Sequence, residues 1–200
     1  MSGTNSCHFE LKVVVISQNI EMSKQFIQNI PGLKYDPSVN FCFLQSFSFP
    51  LYISDSLIIN VDLWVLPEDA RQRGDAQFLC CDASIVFYIS TNEDELLQLL
   101  SIYHKDIRDV NIQCHYVACG ALNPQSLNSL SKASGFVIQN LVNMDPNEIS
   151  TIFKTAIVNV INGIPNPPEP SYLMNKHIKL GSLLIDNPIY RKALNPSFAE

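Results

Sequence analysis

The sequence predicts an α/β layered domain built on a mostly parallel sheet. Three observations carry this: an unbroken β-branched run at Leu11–Ile16 (LKVVVI), further apolar runs of strand length downstream, and segments of helical spacing between them. A strand buried on both faces reads as a continuous apolar run, and its alternation with amphipathic helices is the pattern of parallel-sheet units. The composition agrees: 46% hydrophobic and 16% charged residues describe a chain that buries a core. Its 200 residues allow one domain comfortably, or two small ones.

After LKVVVI, the stretch from Ser17 to Ile30 places apolar residues at Ile20, Met22, Phe26, Ile27 and Ile30, a mostly helical spacing closed by Pro31-Gly32. Phe41–Phe47 and Leu57–Trp64 read as two extended segments around a polar turn at Ser54-Asp55-Ser56. Apolar and β-branched residues dominate LIINVDLW, as in a central strand. A polar stretch from Pro67 to Gln77 leads to Ala83–Ile89 (ASIVFYI), another buried strand. Glu93–Tyr103 is the clearest helix, because Asn92 can cap it and acids crowd its first turn, where they complement the helix dipole. Ile112–Ala118 and Phe136–Asn140 read as strands. Asp145-Pro146-Asn147-Glu148 opens a last helix through about Ile161, with Gly163 at its end. The order is βα–ββ–βα–βα–βα.

The domain spans residues 1–163. From residue 164 the composition changes: PNPPEP is a stiff extended linker, and 164–200 form a linker and a C-terminal tail that keeps apolar residues such as Tyr172, Leu173 and Leu180 without long periodicity. The net charge of −6, with no basic stripe, argues against nucleic acid as a ligand. No apolar run reaches the roughly 18 residues of a membrane-spanning helix. The start MSGTNSCHFE lacks signal architecture, Ser2 excludes N-myristoylation, and no cysteine follows Cys119 to accept a prenyl group, so no lipid anchor is expected. Six cysteines without a signal peptide fit reduced thiols in the cytoplasm or the nucleus.

Three stretches give this order a family likeness. LKVVVI resembles the first strand of the Ras-like small GTPases; Tyr35-Asp36-Pro37-Ser38-Val39 is similar to their switch I segment; Val61-Asp62-Leu63-Trp64 followed by VLPEDARQR is similar to their third strand and switch II, with Arg71 and Arg73 in matching places. The resemblance covers about residues 10–162. It implies a P-loop-type three-layer fold: about six strands in a mostly parallel sheet with one antiparallel strand, and helices on both faces.

The chemical residues of that family are the ones missing here. A P-loop needs glycines whose backbone N–H groups face the phosphates, a lysine, and a Ser or Thr for Mg²⁺. This chain reads Ser17-Gln18-Asn19-Ile20-Glu21-Met22-Ser23-Lys24-Gln25, and it has no glycine between Gly3 and Gly32. Lys24 fits the lysine role only with one extra loop residue. The metal-linked DxxG becomes Val65-Leu66-Pro67-Glu68, the water-positioning glutamine becomes Asp69, and no aspartate lies between Asn111 and Gln139 to read a guanine base. The resemblance with these departures implies a pseudo-GTPase: a non-catalytic interaction or scaffold subunit of a complex, without cofactor, held by a constitutive protein partner. Partner-binding candidates are Tyr35, Phe41, Phe43, Trp64, Arg71 and Arg73. The alternative is a divergent switch in trafficking or signalling that holds GTP or GDP with Mg²⁺ through Ser23, Lys24 and Ser38.

Other constellations read as structural. Cys80-Cys81, Cys114-His115 and Cys119 lack zinc-ligand spacing and read as buried thiols. His8, His104, His115 and His177 share no spacing; His104, at the predicted helix end, reads as a dipole partner. No nucleophile elbow is present. Asn187-Pro188-Ile189-Tyr190 matches the NPxY pattern of peptides that PTB domains bind, and equally a simple turn.

Overall fold

The computed structural model describes residues 7–36, 38, 44–54, 57–66, 75–121, 123, 136–141, 143–165 and 167–180. In chain order the elements are β1 (Cys7–Ser17), α1 (Ile20–Ile27), β2 (Gln45–Ser54), β3 (Leu57–Val65), α2 (Asp75–Cys80), β4 (Ile85–Ile89), α3 (Glu93–Val110), β5 (His115–Gly120), β6 (Val137–Asn140), α4 (Pro146–Asn162), α5 (Pro170–Asn175) and β7 (Ile178–Leu180).

One sheet holds the strands in the order β2-β3-β1-β4-β5-β6, with β7 beside β1. Pairing is parallel from β3 across to β6; β2 runs antiparallel to β3, and β7 antiparallel to β1. Alternate residues of each strand point to opposite faces, so one sheet feeds two cores. Val13, Val15, Leu63 and Phe87 pack against Phe26 and Ile27 of α1 and Phe153 and Ile157 of α4. The Phe87 ring lies 5.6 Å from Phe26 and 5.7 Å from Phe153, which ties both helices to the middle of the sheet. On the other face Val14, Ile16, Val86 and Tyr88 meet Leu79 of α2 and Leu96, Leu100, Tyr103 and Ile107 of α3. The result is three layers, helix–sheet–helix.

Several boundaries differ from the sequence reading. The first hairpin strand is Gln45–Ser54, later than the aromatic run 41–47, because its register is set by nine pairings with β3, from Gln45↔Val65 to Ser54↔Leu57. Phe49 is buried and stacks on Phe153, with ring centres 6.4 Å apart. Helix α3 continues seven residues beyond Tyr103 because Ile107 is fully buried one turn further on, and Asn111 caps the end. The six-residue α2 begins within the stretch read as a polar loop; Ala76, Leu79 and Cys80 are its buried side.

The domain edge at 163 also moves. β1 outruns β4, which pairs with it only from Val13 onward, and the bare backbone edge at Phe9–Leu11 is taken by β7. Ser84 Oγ donates to the His177 carbonyl at 3.0 Å, Lys176 Nζ donates to the Gln113 carbonyl at 3.0 Å, and Leu173 of α5 enters the first core. Residues 170–180 therefore belong to the same body. The segment Asn187–Tyr190 lies outside the described residues.

Candidate functional site

In open α/β sheets ligands sit outside the carboxyl ends of the strands, where the strand order reverses. Here that place is above β1, with β3 on one side and β4 on the other. The turn from β1 into α1 has only two residues, Gln18 and Asn19. Asn19 is extended and its side chain accepts the Met22 N–H at 3.0 Å, occupying a helix donor that an anion would need. Ser17 Oγ donates to the Asn19 carbonyl at 2.6 Å and lies 2.7 Å from Ser23 Oγ. Ser23 is fully buried. The Gln18 side-chain oxygen is buried without a hydrogen-bond partner, so the turn adds an unpaired acceptor to its surroundings.

The turn from β4 into α3 repeats the device. Ser17-Gln18-Asn19 and Ser90-Thr91-Asn92 share the pattern Ser-x-Asn, the sequence signal of this turn. Asn92 caps α3 by accepting the Glu95 N–H at 3.2 Å, while buried Ser90 Oγ accepts the Asn92 N–H at 3.1 Å and bonds Glu95 at 3.2 Å. Beyond β5, Asn123 donates its side-chain N–H groups to the Glu93 carboxylate at 2.9 Å and its backbone N–H at 3.2 Å. No Asp or Glu lies between Asn111 and Met144, yet α3 brings an acid to the end of β5. Gly120 ends β5 because a Cβ would stand 2.6 Å from the Ser90 carbonyl oxygen and 2.8 Å from Leu96.

The candidate nucleotide ligands engage different neighbours. Lys24 lies a full turn into α1 and pairs with Glu21 at 2.6 Å. Ser38 is exposed and its backbone N–H donates to Asp36 at 2.9 Å. That bond, with a weaker contribution from the Ser38 hydroxyl, holds the Asp36 carboxyl below its ordinary range. Val65, where a metal-linked acid would stand, is buried in the first core. The acids in the first turns, Glu21 of α1 and Glu93, Asp94 and Glu95 of α3, give this end of the sheet a sign that repels polyphosphate.

Of the partner candidates, Tyr35 is half-buried with its ring 6.4 Å from Phe47. Burial raises its phenol above the ordinary value, and the nearby Lys24 charge opposes this. Trp64 lies elsewhere, on the face of β3 opposite the first core. Its indole N–H donates to Asp62 at 2.8 Å and the Lys12 ammonium stands 5.4 Å from the ring centre. A groove of about 410 Å³ runs past Lys12, Asp62, Trp64, Asp82 and Met174. Its Lys12–Asp82 and Trp64–Asp62 pairs are already made. Phe41, Phe43, Glu68, Asp69, Arg71 and Arg73 lie outside the described residues.

The histidine and cysteine readings need correction in part. His104 is mid-helix rather than at an end, edge-on to Tyr116 at 4.9 Å and 4.0 Å from the Phe136 ring. Burial, aided by Arg108, lowers its pKa to about 4, so it is neutral at pH 7 and has no charge to offer a helix dipole. Cys80, Cys114 and Cys119 are buried, and burial pushes the Cys80 thiol up to about 12; Cys81 is exposed. Among the described residues no three His, Cys, Asp or Glu side chains are grouped to hold a metal, and no described helix is long and apolar enough to cross a membrane. Neither a protein-family model nor a curated protein matches this chain.

Proposed function

We propose that the chain is a small-GTPase-like domain without nucleotide chemistry, serving as a protein-interaction subunit held by a constitutive partner. One observation carries this reading: in the turn above β1, Ser17, Asn19 and Ser23 are bonded to one another or to α1, and the turn has no glycine. A phosphate bound there would need backbone donors that Asn19 has taken and space that the two-residue turn does not leave. The strand order, with an antiparallel hairpin β2–β3 at one edge and β1 between it and β4, supports the small-GTPase likeness. The segments at 35–49 and 65–78 then serve as a docking face shaped by packing and by the partner, with no γ-phosphate to order them.

The test is nucleotide. A ligand with a Kd of about 10 μM, added at about 1 mM, stabilises the native state by roughly 2.7 kcal/mol and raises Tm by several degrees. The purified protein is expected to carry no guanine nucleotide by mass and absorbance, and to unfold at the same temperature with and without GTP and Mg²⁺. A shift of several degrees, lost on Lys24→Ala, overturns the reading in favour of a nucleotide switch.

A further inference from the structure

We infer that Asn162-Gly163, the joint between α4 and the C-terminal strap of α5 and β7, is a site of spontaneous covalent modification. The Gly163 amide nitrogen closes on the Asn162 side chain and converts it to isoaspartate, which loosens the strap.

The reaction asks for an exposed asparagine, a following amide nitrogen outside the helix ladder, and no side chain on the residue that carries it. Asn162-Gly163 is the one Asn-Gly pair in the chain. Both residues are exposed, and Asn162 is the last residue of α4. The caps of α1 and α3 keep the full helix bond, Gln28 N–H to the Lys24 carbonyl at 3.0 Å and Asn111 N–H to the Ile107 carbonyl at 2.9 Å. The Gly163 N–H instead faces the Ile161 carbonyl, two residues back, where alignment is poor.

The glycine is imposed from a distance. A Cβ at 163 would stand 2.5 Å from the Tyr172 hydroxyl of α5 and 3.5 Å from the Val160 carbonyl oxygen. With the Tyr172 ring in this place the position has no room for a side chain. The same lack leaves nothing on residue 163 to shield its amide nitrogen.

The step balances with water as its only co-reactant. The Gly163 nitrogen loses its proton to solvent base and bonds to Cγ of Asn162. The C–N bond of the side-chain amide breaks, and that nitrogen leaves as ammonia, giving a five-membered imide. Water then opens the ring at either carbonyl, to aspartate or to isoaspartate, in which the main chain runs through Cβ and Cγ. Each product sets a carboxylate at the carboxyl end of α4, where the helix dipole opposes it and the last turn holds no basic residue. The isoaspartyl product also adds a methylene to the main chain and moves Gly163 from beneath Tyr172. The strap beyond is held by Leu173 and Ile178 in the first core, three residue pairs with β1, and the bonds to Ser84 and Gln113. Displacing its root loosens a segment of that size as a unit.

The full chain is aged in mildly alkaline buffer as wild type and as Asn162→Gln, and is followed by peptide mass mapping and by labelling with an isoaspartate methyltransferase. The wild type is expected to gain the mass of an NH₂-to-OH exchange and the methyl label at 162, faster as pH rises. The glutamine variant must close a larger ring and is expected to convert at least about tenfold more slowly. In the converted wild type the β7 amides are expected to exchange at least about tenfold faster than in the fresh chain. A folded wild type in which Asn162 stays intact overturns the inference, and conversion of the same chain in urea then identifies the helix end as its protection. Equal labelling of the two chains overturns it too, because the signal then arises elsewhere. Unchanged β7 exchange in the converted chain overturns the loosening of the strap. None of these outcomes depends on the nucleotide reading above.

Discussion

Replacing Asn111 with alanine should loosen α2 from the domain, and the structure sets the size of the effect. Asn111 is buried between the ends of two helices, and its side-chain amide donates to the Cys80 carbonyl at 2.7 Å and the Ala83 carbonyl at 2.9 Å. Both acceptors belong to fully buried residues. Alanine removes both bonds: the Ala83 carbonyl is left unpaired at about 1–3 kcal/mol, while the Cys80 carbonyl keeps the Ala83 N–H at 3.2 Å and loses about 1 kcal/mol. Against this, the Asn111 side-chain oxygen has no partner now, so its removal returns about 1 kcal/mol. The net loss is about 1–3 kcal/mol, or roughly 3–9 °C in Tm for a chain of this size. Urea unfolding followed by far-UV circular dichroism measures it. Asn111→Asp is the sharper variant: it keeps the shape but sets an acceptor against two acceptors, so at pH 7 it should be worse than alanine. In the folded state that carboxyl's pKa is raised, because burial and the facing carbonyls disfavour its charge. The folded form therefore binds the proton more tightly, and the defect should shrink as pH falls through that raised pKa. A loss below about 1 kcal/mol for alanine, or an Asp variant no worse than alanine, refutes the reasoning. The result bears on the proposed function because α2 forms the far end of the segment 65–78, which that reading makes part of the docking face.

Two further outcomes follow from the same geometry. Gly120→Ala should destabilise by about 2–4 kcal/mol in thermal unfolding, since its Cβ meets the backbone oxygen of Ser90 and cannot be relieved by a side-chain rotation alone; a neutral substitution would mean that the β5 end and the turn after β4 can separate. His104 is neutral in the folded protein with a pKa of about 4 against an ordinary 6.5, so the unfolded chain takes up its proton first on acidification. Its contribution is present above pH 6.5 and lost as pH falls toward 4, by roughly 1–2 kcal/mol once its partial exposure to solvent is discounted. His104→Phe should flatten that part of the Tm-against-pH curve; a curve unchanged by the substitution would contradict the burial argument.

What was legible without coordinates was whatever depends on neighbours along the chain. LKVVVI and ASIVFYI are buried strands because only a two-sided interior tolerates such runs, and Asn92 and Asp145 cap helices because their side chains reach the N–H groups two or three residues on. The absence of glycine between Gly3 and Gly32 already argued against a phosphate cradle, and the two-residue turn at Gln18-Asn19 is its structural counterpart. Local pattern failed where a distant segment supplies the reason. The polar run after Tyr103 stays helical for the sake of one buried residue, Ile107, and that shift alone moved His104 from a helix end into an aromatic cluster.

The sequence by itself determined the layer order, the strands buried on both faces and the lack of phosphate-binding glycines, since each is written in residue types a few positions apart. Tertiary structure alone decided the rest: the three residues Ile178–Leu180 become a strand because β1 leaves an unpaired edge, and Glu93 meets Asn123 because α3 starts beside the end of β5. Backbone groups and carboxylates must find partners wherever the fold brings them, and that search runs through space rather than along the chain.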